Sequence, residues 1–354
     1  MRTGRADLPL HNGRAPAWLF ERMSSLAREI GRAIVEEEGP HGLLRRVADP
    51  FWFQAFGCVL GFDWHSSGLT TTACGALKEG LRPLFDELGI VVAGGKGKTS
   101  RRTPSEIQSA CERLGLDAAP LVRASRLSAK VDSSAVQDGY GIYHHTFLFS
   151  PDGSWSVVQQ GMNEATGMAR RYHWYTAPTF VSDPHAGVAG VPETGVTNLV
   201  AASGDRNRAV STKLAREEPS KVAAELTRMR SFTMPRHHWI RLGDLHPGRV
   251  ERVLLKAYEA QPEDYTSLLA VPGVGAKGLR ALALVAEVTY GAPASVKDPV
   301  SFSYAHGGKD GTPFPVDRRT YDSTIESLRR AVDDAKAGRG EKRAALQRLA
   351  RVAG

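Results

Sequence analysis

The sequence predicts an α+β protein, with an N-terminal α/β part and a β-rich middle followed by an all-helical helix–hairpin–helix region. Three observations predict it. Trp18, Leu19, Met23, Leu26, Ile30 and Ile34 recur at helical spacing over residues 17–38. Residues 142–149 and 155–160 are strand-like and flank Ser150-Pro151-Asp152-Gly153-Ser154, a strong hairpin signal. Beyond residue 211 helical patterns dominate, and LLAVPGVGAKGLRALALVAEVTY (268–290) sets two helices about a Pro-Gly-Val-Gly turn.

At 354 residues the chain has length for two or three domains, each with its own core. Polar and glycine content rises over residues 190–212, which places a boundary there. The division expected is an α+β catalytic unit over 1–200 and a helical DNA-binding unit over 211–354. The formal net charge of +8 favours a polyanionic partner, most simply nucleic acid. No apolar run approaches the roughly 18 residues of a membrane span, and the start MRTGRADLPLHNG has no signal-peptide pattern. Cys58, Cys74 and Cys111 form no CxxC pair and read as buried thiols in a reducing cytosol. A cytoplasmic protein without a membrane partner is expected.

In chain order, the first amphipathic helix should stop at Gly39-Pro40. Residues 58–62 read as a buried strand ending at Asp63, followed by a Ser-Gly turn, the β-branched run Thr70-Thr71-Thr72, and a helix from Gly75 to about Leu88. AGGKGKTSRRT (93–103) is glycine-rich and basic but lacks the GxxxxGK[ST] order, so it reads as a mobile loop that touches phosphate. Thr103-Pro104-Ser105-Glu106 then opens a helix reaching about Leu114. In the C-terminal half, helices are expected over 211–230, 247–260 and 341–352.

Several long stretches carry a family resemblance: RTGRADLPLHNGRAPAWL, DPFWFQAFGCVLGFDWHSSG with GALKEGL, SAKVDSSAVQDGY, VVQQGMN with ARRYHW, and PGVGAKGLRAL. Together they resemble the domain-of-unknown-function family 763 over nearly the whole chain. That resemblance implies no activity, so the chemistry rests on the residues.

The polar residues concentrate in 125–175. Asp132, Asp138 and one of His144 and His145 are expected to hold Mg²⁺ or Mn²⁺ for phosphodiester cleavage. The two histidines are adjacent on a strand and face opposite ways, as do Gln159 and Gln160. Lys130, Gln159 and His173 complete the catalytic set, and Asp63 and His65 form a further corner beside Ser66-Ser67. Arg170 and Arg171 are expected to clamp phosphate.

The 268–290 stretch resembles a helix–hairpin–helix DNA-binding element. Gly273 and Gly275 would let phosphate approach the backbone, with Lys277 and Arg280 beside it. The function expected is a divalent-metal-dependent nuclease of DNA repair that grips backbone without reading sequence. An alternative resembles helix–hairpin–helix base-excision glycosylases, with Lys277 as a Schiff-base nucleophile and Asp317 as its partner. Asp298 is a nearer candidate for that partner, since reaching Asp317 makes residues 299–314 an insertion. A second alternative is a non-catalytic DNA-binding or scaffold protein within a repair complex. His237 and His238, adjacent after Pro235, suit packing or phosphate contact better than metal.

Overall fold

The computed structural model describes residues 8, 10, 15–62, 66–229, 247–301, 318–334 and 338–353, and is an α+β protein with helices on both faces of an antiparallel sheet. Helix α1 (Ala17–Ala48) buries Met23, Leu26, Ile30 and Ile34, four of the residues whose spacing predicts it. The expected stop at Gly39-Pro40 is a kink, with Gly39 at φ 73°, and helix resumes to Ala48.

Helices α2 (Pro50–Leu60), α3 (Gly68–Leu81) and the single turn α4 (Phe85–Leu88) follow. The strand expected at 58–62 is instead the last turn of α2. Its cause lies upstream: Asp49 accepts hydrogen bonds from the Phe51 and Trp52 N–H groups at 2.7 and 3.2 Å, and Pro50 takes the first helical position. The helix expected from Gly75 starts at Gly68, with the three threonines inside it. Leu69, Ala73, Ala76 and Leu77 form its buried face, and their burial outweighs the modest helix penalty of β-branched residues. The described residues ahead of the first strand therefore form a helical layer.

Strand β1 (Val91–Lys96) takes up the first half of the glycine-rich stretch expected as a loop, and a tight turn over 97–102 takes up the rest. Gly94 makes the strand possible: at φ 87°, a Cβ there would collide with the His145 carbonyl. Helix α5 (Thr103–Leu114) falls where expected, and α6 (Ala119–Lys130) runs into a widened π-type turn over residues 131–135. Then come β2 (Val136–Gln137), β3 (Gly141–Phe149), β4 (Trp155–Asn163), β5 (Met168–Tyr175), β6 (Gly187–Ala189) and β7 (Thr197–Asn198). The main sheet has the order β1-β3-β4-β5-β6, antiparallel throughout, and β2 pairs with β7. The 150–154 hairpin closes as the sequence predicts, with the Ser150 N–H on the Ser154 carbonyl at 2.9 Å.

The C-terminal half comprises α7 (Asp205–Ala215), α8 (Pro219–Met229), α9 (Pro247–Ala260), α10 (Tyr265–Ala270), α11 (Ala276–Tyr290), α12 (Arg318–Asp334) and α13 (Arg339–Ala353). Phe147, Val157, Tyr172 and Trp174 on one sheet face share a core with α5, α6 and α7–α11. Leu148 and Val158 on the other face pack with α1–α3, joined there by Leu328, Ala331 and Val332 of α12. Apolar packing runs through the boundary expected at 190–212, because Leu199 and Val200 lie in the same core as Phe147 and Leu282. Among the described residues no helix is long and apolar enough to cross a membrane.

Candidate functional site

Strand alternation divides the polar block of residues 125–175 between the two sheet faces. His145, Gln159, Arg170, Tyr172 and Trp174 point toward α6, whereas His144, Gln160, Arg171 and His173 point toward α1–α3. The single site expected is therefore two separate networks.

The network beneath α6 centres on Asp132, whose side chain is fully buried because the widened turn after α6 carries it inward. Its Oδ1 lies 2.5 Å from His185 Nε2. Its Oδ2 accepts hydrogen bonds from Gln159 Nε2 and, at 2.9 Å, from Trp174 Nε1. Gln159 Oε1 is an acceptor, so His145 donates to it from Nδ1 at 2.9 Å and accepts the Ser125 hydroxyl on Nε2 at 2.9 Å. His145 is thus neutral, and burial pulls its pKa down to about 4. Burial raises the Asp132 pKa, while His185 opposes that shift. His185 follows Ser182 and Asp183, consecutive non-glycine residues at φ 67° and 56°, and the next N–H, of Ala186, donates to the His173 carbonyl at 2.9 Å. Two such residues in the left-handed region are costly and fix the approach of the chain to the imidazole. His185 Nδ1 has no hydrogen-bond partner among the described residues.

Asp138 lies on the same face but serves another purpose. It accepts from Arg170 at 2.8 Å, from the Tyr172 hydroxyl at 2.6 Å and from the Tyr140 N–H at 3.1 Å. Arg170 spans to Asp298 at 2.8 Å and stacks over Tyr140 at 4.6 Å. With Arg170 and Asp138 sealed from solvent, this is a structural ion-pair network tying β5 to the segment after α11. Asp298 is committed to Arg170 and to the Glu193 and Val300 N–H groups, so it does not partner Lys277.

On the opposite face Arg171 holds the N-terminal helices to the sheet. Its guanidinium donates to Gln54 Oε1 at 3.0 Å, to the Pro50 carbonyl at 3.3 Å, to Thr70 Oγ1 at 3.2 Å and to His173 Nε2 at 2.8 Å. Accepting there leaves His173 to donate from Nδ1 to the Val47 carbonyl at 2.9 Å. Burial and the adjacent Arg171 hold the His173 pKa well below its usual value. His173 is thus a packing residue, not a catalytic one. Arg170 and Arg171 are both fully buried, which corrects their assignment as phosphate clamps. Gln160 donates to the Ser67 carbonyl at 3.0 Å, which puts the Ser66-Ser67 corner on this second face, away from Asp132.

The metal set does not assemble. His144 faces away from Asp132, Asp138 and His145, and its neutral ring bonds Thr146 at 2.9 Å. Burial, with His145 and Lys96 nearby, lowers its pKa to about 3. The carboxylate oxygens of Asp132 and Asp138 already accept N–H and O–H donors, whereas Mg²⁺ or Mn²⁺ needs open oxygen ligands. Among the described residues no group of three or more His, Cys, Asp or Glu side chains could hold a metal ion. Asp63, His65, His237, His238 and Asp317 lie outside the described residues.

A groove of about 760 Å³ opens on the outer side of α6. One wall carries Arg123, Arg126 and Lys130, at helical spacing of three and four residues, and residues 269–272 form another. Glu112 and Asp117 stand toward α5. Arg126 and Lys130 form no ion pair among the described residues, and partial burial lowers the Lys130 pKa. Beyond the groove the chain turns between α10 and α11 with Gly273 at φ 89°, and a Cβ there would sit 3.1 Å from Lys256 Nζ. Gly275 precedes α11 in extended conformation and provides no side-chain cap, and Lys277 is exposed on the first turn. Arg280 is half-buried and donates to Gln137, whose amide donates to the Ala276 carbonyl at 2.8 Å. It positions the turn against β2 rather than standing free. The basic face of α6 was visible in APLVRASRLSAK, and His185 in SDPHAG, but neither stretch carries a motif that marks it.

Fold and site define an α+β protein with a buried Asp–His pair on one sheet face and a basic groove beside a glycine hairpin. Residues 4–316 match the family described as protein of unknown function (DUF763), and the chain belongs to that family. No curated protein and no solved structure gives a significant match.

Proposed function

We propose that the protein processes DNA and holds the phosphate backbone along the groove between α6 and the 271–275 turn. The observation that carries this reading is the shared groove: Arg123, Arg126 and Lys130 line the same cavity as residues 269–272. Lys256 and Lys277 continue the positive surface past the turn. Backbone contact of this kind confers affinity without sequence preference. The turn then acts as a helix–hairpin–helix grip, with the uncapped start of α11 presenting N–H groups to phosphate. A labelled duplex titrated with wild type and with Arg123→Ala/Arg126→Ala tests it. A loss of tenfold or more is expected, and equal affinity would overturn the assignment.

The chemistry we attach to the protein is phosphodiester hydrolysis in DNA repair at the Asp132–His185 pair on the sheet side of α6, with the groove on the outer side of that helix holding the flanking backbone. Asp132 orients His185 from 2.5 Å, as a general base is oriented. His185 takes a proton from water, the hydroxide oxygen bonds to phosphorus as the P–O bond to the leaving strand breaks, and the imidazolium returns that proton to the leaving oxygen. This pair replaces the metal-centred arrangement, so no step runs through Mg²⁺ or Mn²⁺. Turnover abolished in His185→Gln with duplex affinity retained supports hydrolysis at this pair. Equal turnover by the variant removes it. Borohydride trapping through Lys277 would mark the glycosylase route instead.

A further inference from the structure

We propose a second site on the far side of α5: a pocket for a small phosphate-bearing ligand of nucleotide size. The cavity there is about 950 Å³, within the upper range of small-molecule sites of roughly 300–1,000 Å³. Its walls come from α3, the edge strand β1 and one face of α5 from Ser105 to Arg113, so it opposes the groove assigned to DNA across α5.

Charge accounting gives the ligand class. Lys78 pairs with Glu106 at 2.5 Å and Arg82 with Glu79 at 2.7 Å, which neutralises both acids lining the cavity. The Glu106 carboxylate also accepts the Gly94 N–H at 2.8 Å, so it is fixed in the wall. Lys96, Arg102 and Arg113 remain, all exposed and none in an ion pair among the described residues. Lys96 lies over the Tyr143 ring at 5.8 Å and Arg113 over Phe85 at 4.1 Å, contacts that orient the cations without neutralising them. Three unneutralised cations about one concavity attract a multiply charged anion, and guanidinium groups suit phosphate oxygens.

The remaining lining gives the second half of the ligand. Phe20, Val92 and the buried Cys74 make an apolar side, where burial pushes the thiol pKa up to about 12 and keeps it protonated. A ring system packs against such a surface while its phosphates reach the cations. The sequence stretch AGGKGKTSRRT thus lines a pocket with Gly94, Gly95 and Thr99 instead of forming a free loop.

Isothermal titration calorimetry on the full chain, with ATP, inorganic phosphate and a 5′-phosphorylated oligonucleotide, tests the site. Saturable ATP binding is expected, weakened at least tenfold by Lys96→Ala/Arg102→Ala and by Ser109→Glu, which adds an acid to the α5 wall of the cavity, with circular dichroism unchanged. Arg123→Ala/Arg126→Ala should leave ATP affinity intact, which separates this site from the DNA groove. Inorganic phosphate binding as tightly as ATP would overturn the nucleotide-size assignment. Tighter binding of the oligonucleotide, lost in the pocket variants, would replace the small ligand with a strand end. No saturable ATP binding, or ATP binding untouched by both pocket variants, would overturn the site.

Discussion

Asp132 and His185 are 53 positions apart and meet at 2.5 Å on the α6 side of the sheet. The same carboxylate accepts the Trp174 indole N–H at 2.9 Å and the Gln159 amide. Removing it strands three donors inside the protein. Asp132→Ala is therefore expected to cost about 3–5 kcal/mol, the range for breaking one partner out of a buried pair. Asp132→Asn, which keeps an acceptor oxygen, should cost less. Urea unfolding of both variants checks this, and an Asp132→Ala midpoint at wild-type level would mean that the network contributes nothing.

The buried histidines predict acid sensitivity. His145, His144 and His173 are neutral in the fold, with pKa values pulled below the usual 6.5. The unfolded chain binds protons at these three sites below about pH 6.5 while the native chain does not, so stability falls as pH drops. Asp132 and Asp138, raised by burial, act in the opposite sense above about pH 4 and reduce the slope. For His145 the window runs from 6.5 to about 4, worth roughly 3 kcal/mol across its full width. His145→Gln should make the stability–pH slope between pH 6.5 and 4.5 shallower by about one proton. An unchanged slope would contradict a neutral His145.

Arg171 separates packing from ligand contact. Among the described residues its hydrogen-bond acceptors come from α2, α3 and β5. Lysine cannot reproduce this planar donor set. Arg171→Lys is expected to lower stability by about 3 kcal/mol, the scale for disrupting a buried charged network, while duplex affinity of the folded protein stays constant. Thermal unfolding and anisotropy titration read the two effects separately. Lost affinity without lost stability would restore the phosphate-clamp reading.

The sequence is informative where local rules suffice. The 150–154 hairpin, α5 and the first amphipathic helix follow from turn chemistry and periodicity, because their determinants are neighbours in the chain. Residues 58–62 show how that fails: an apolar run of five has no period of its own, and Asp49-Pro50, nine positions upstream, decides for helix. The site was legible in its residue types but not in its grouping. Alternation correctly separates His144 from His145 and Gln159 from Gln160, yet it does not reveal that Asp132 selects His185. Arg170 and Arg171 look like phosphate ligands in sequence because charge is visible there and burial is not. Their acceptors, Asp298 and Gln54, lie 128 and 117 positions away.

The salt dependence of duplex binding tests the central claim most directly. Five cations, Arg123, Arg126, Lys130, Lys256 and Lys277, border the groove and its turn. The slope of log Kobs against log salt should be roughly −4 for wild type. Arg123→Ala/Arg126→Ala should make it shallower by about 2, one for each phosphate contact removed. A steep wild-type slope that the double variant leaves unchanged would place the DNA elsewhere on the protein and contradict the account.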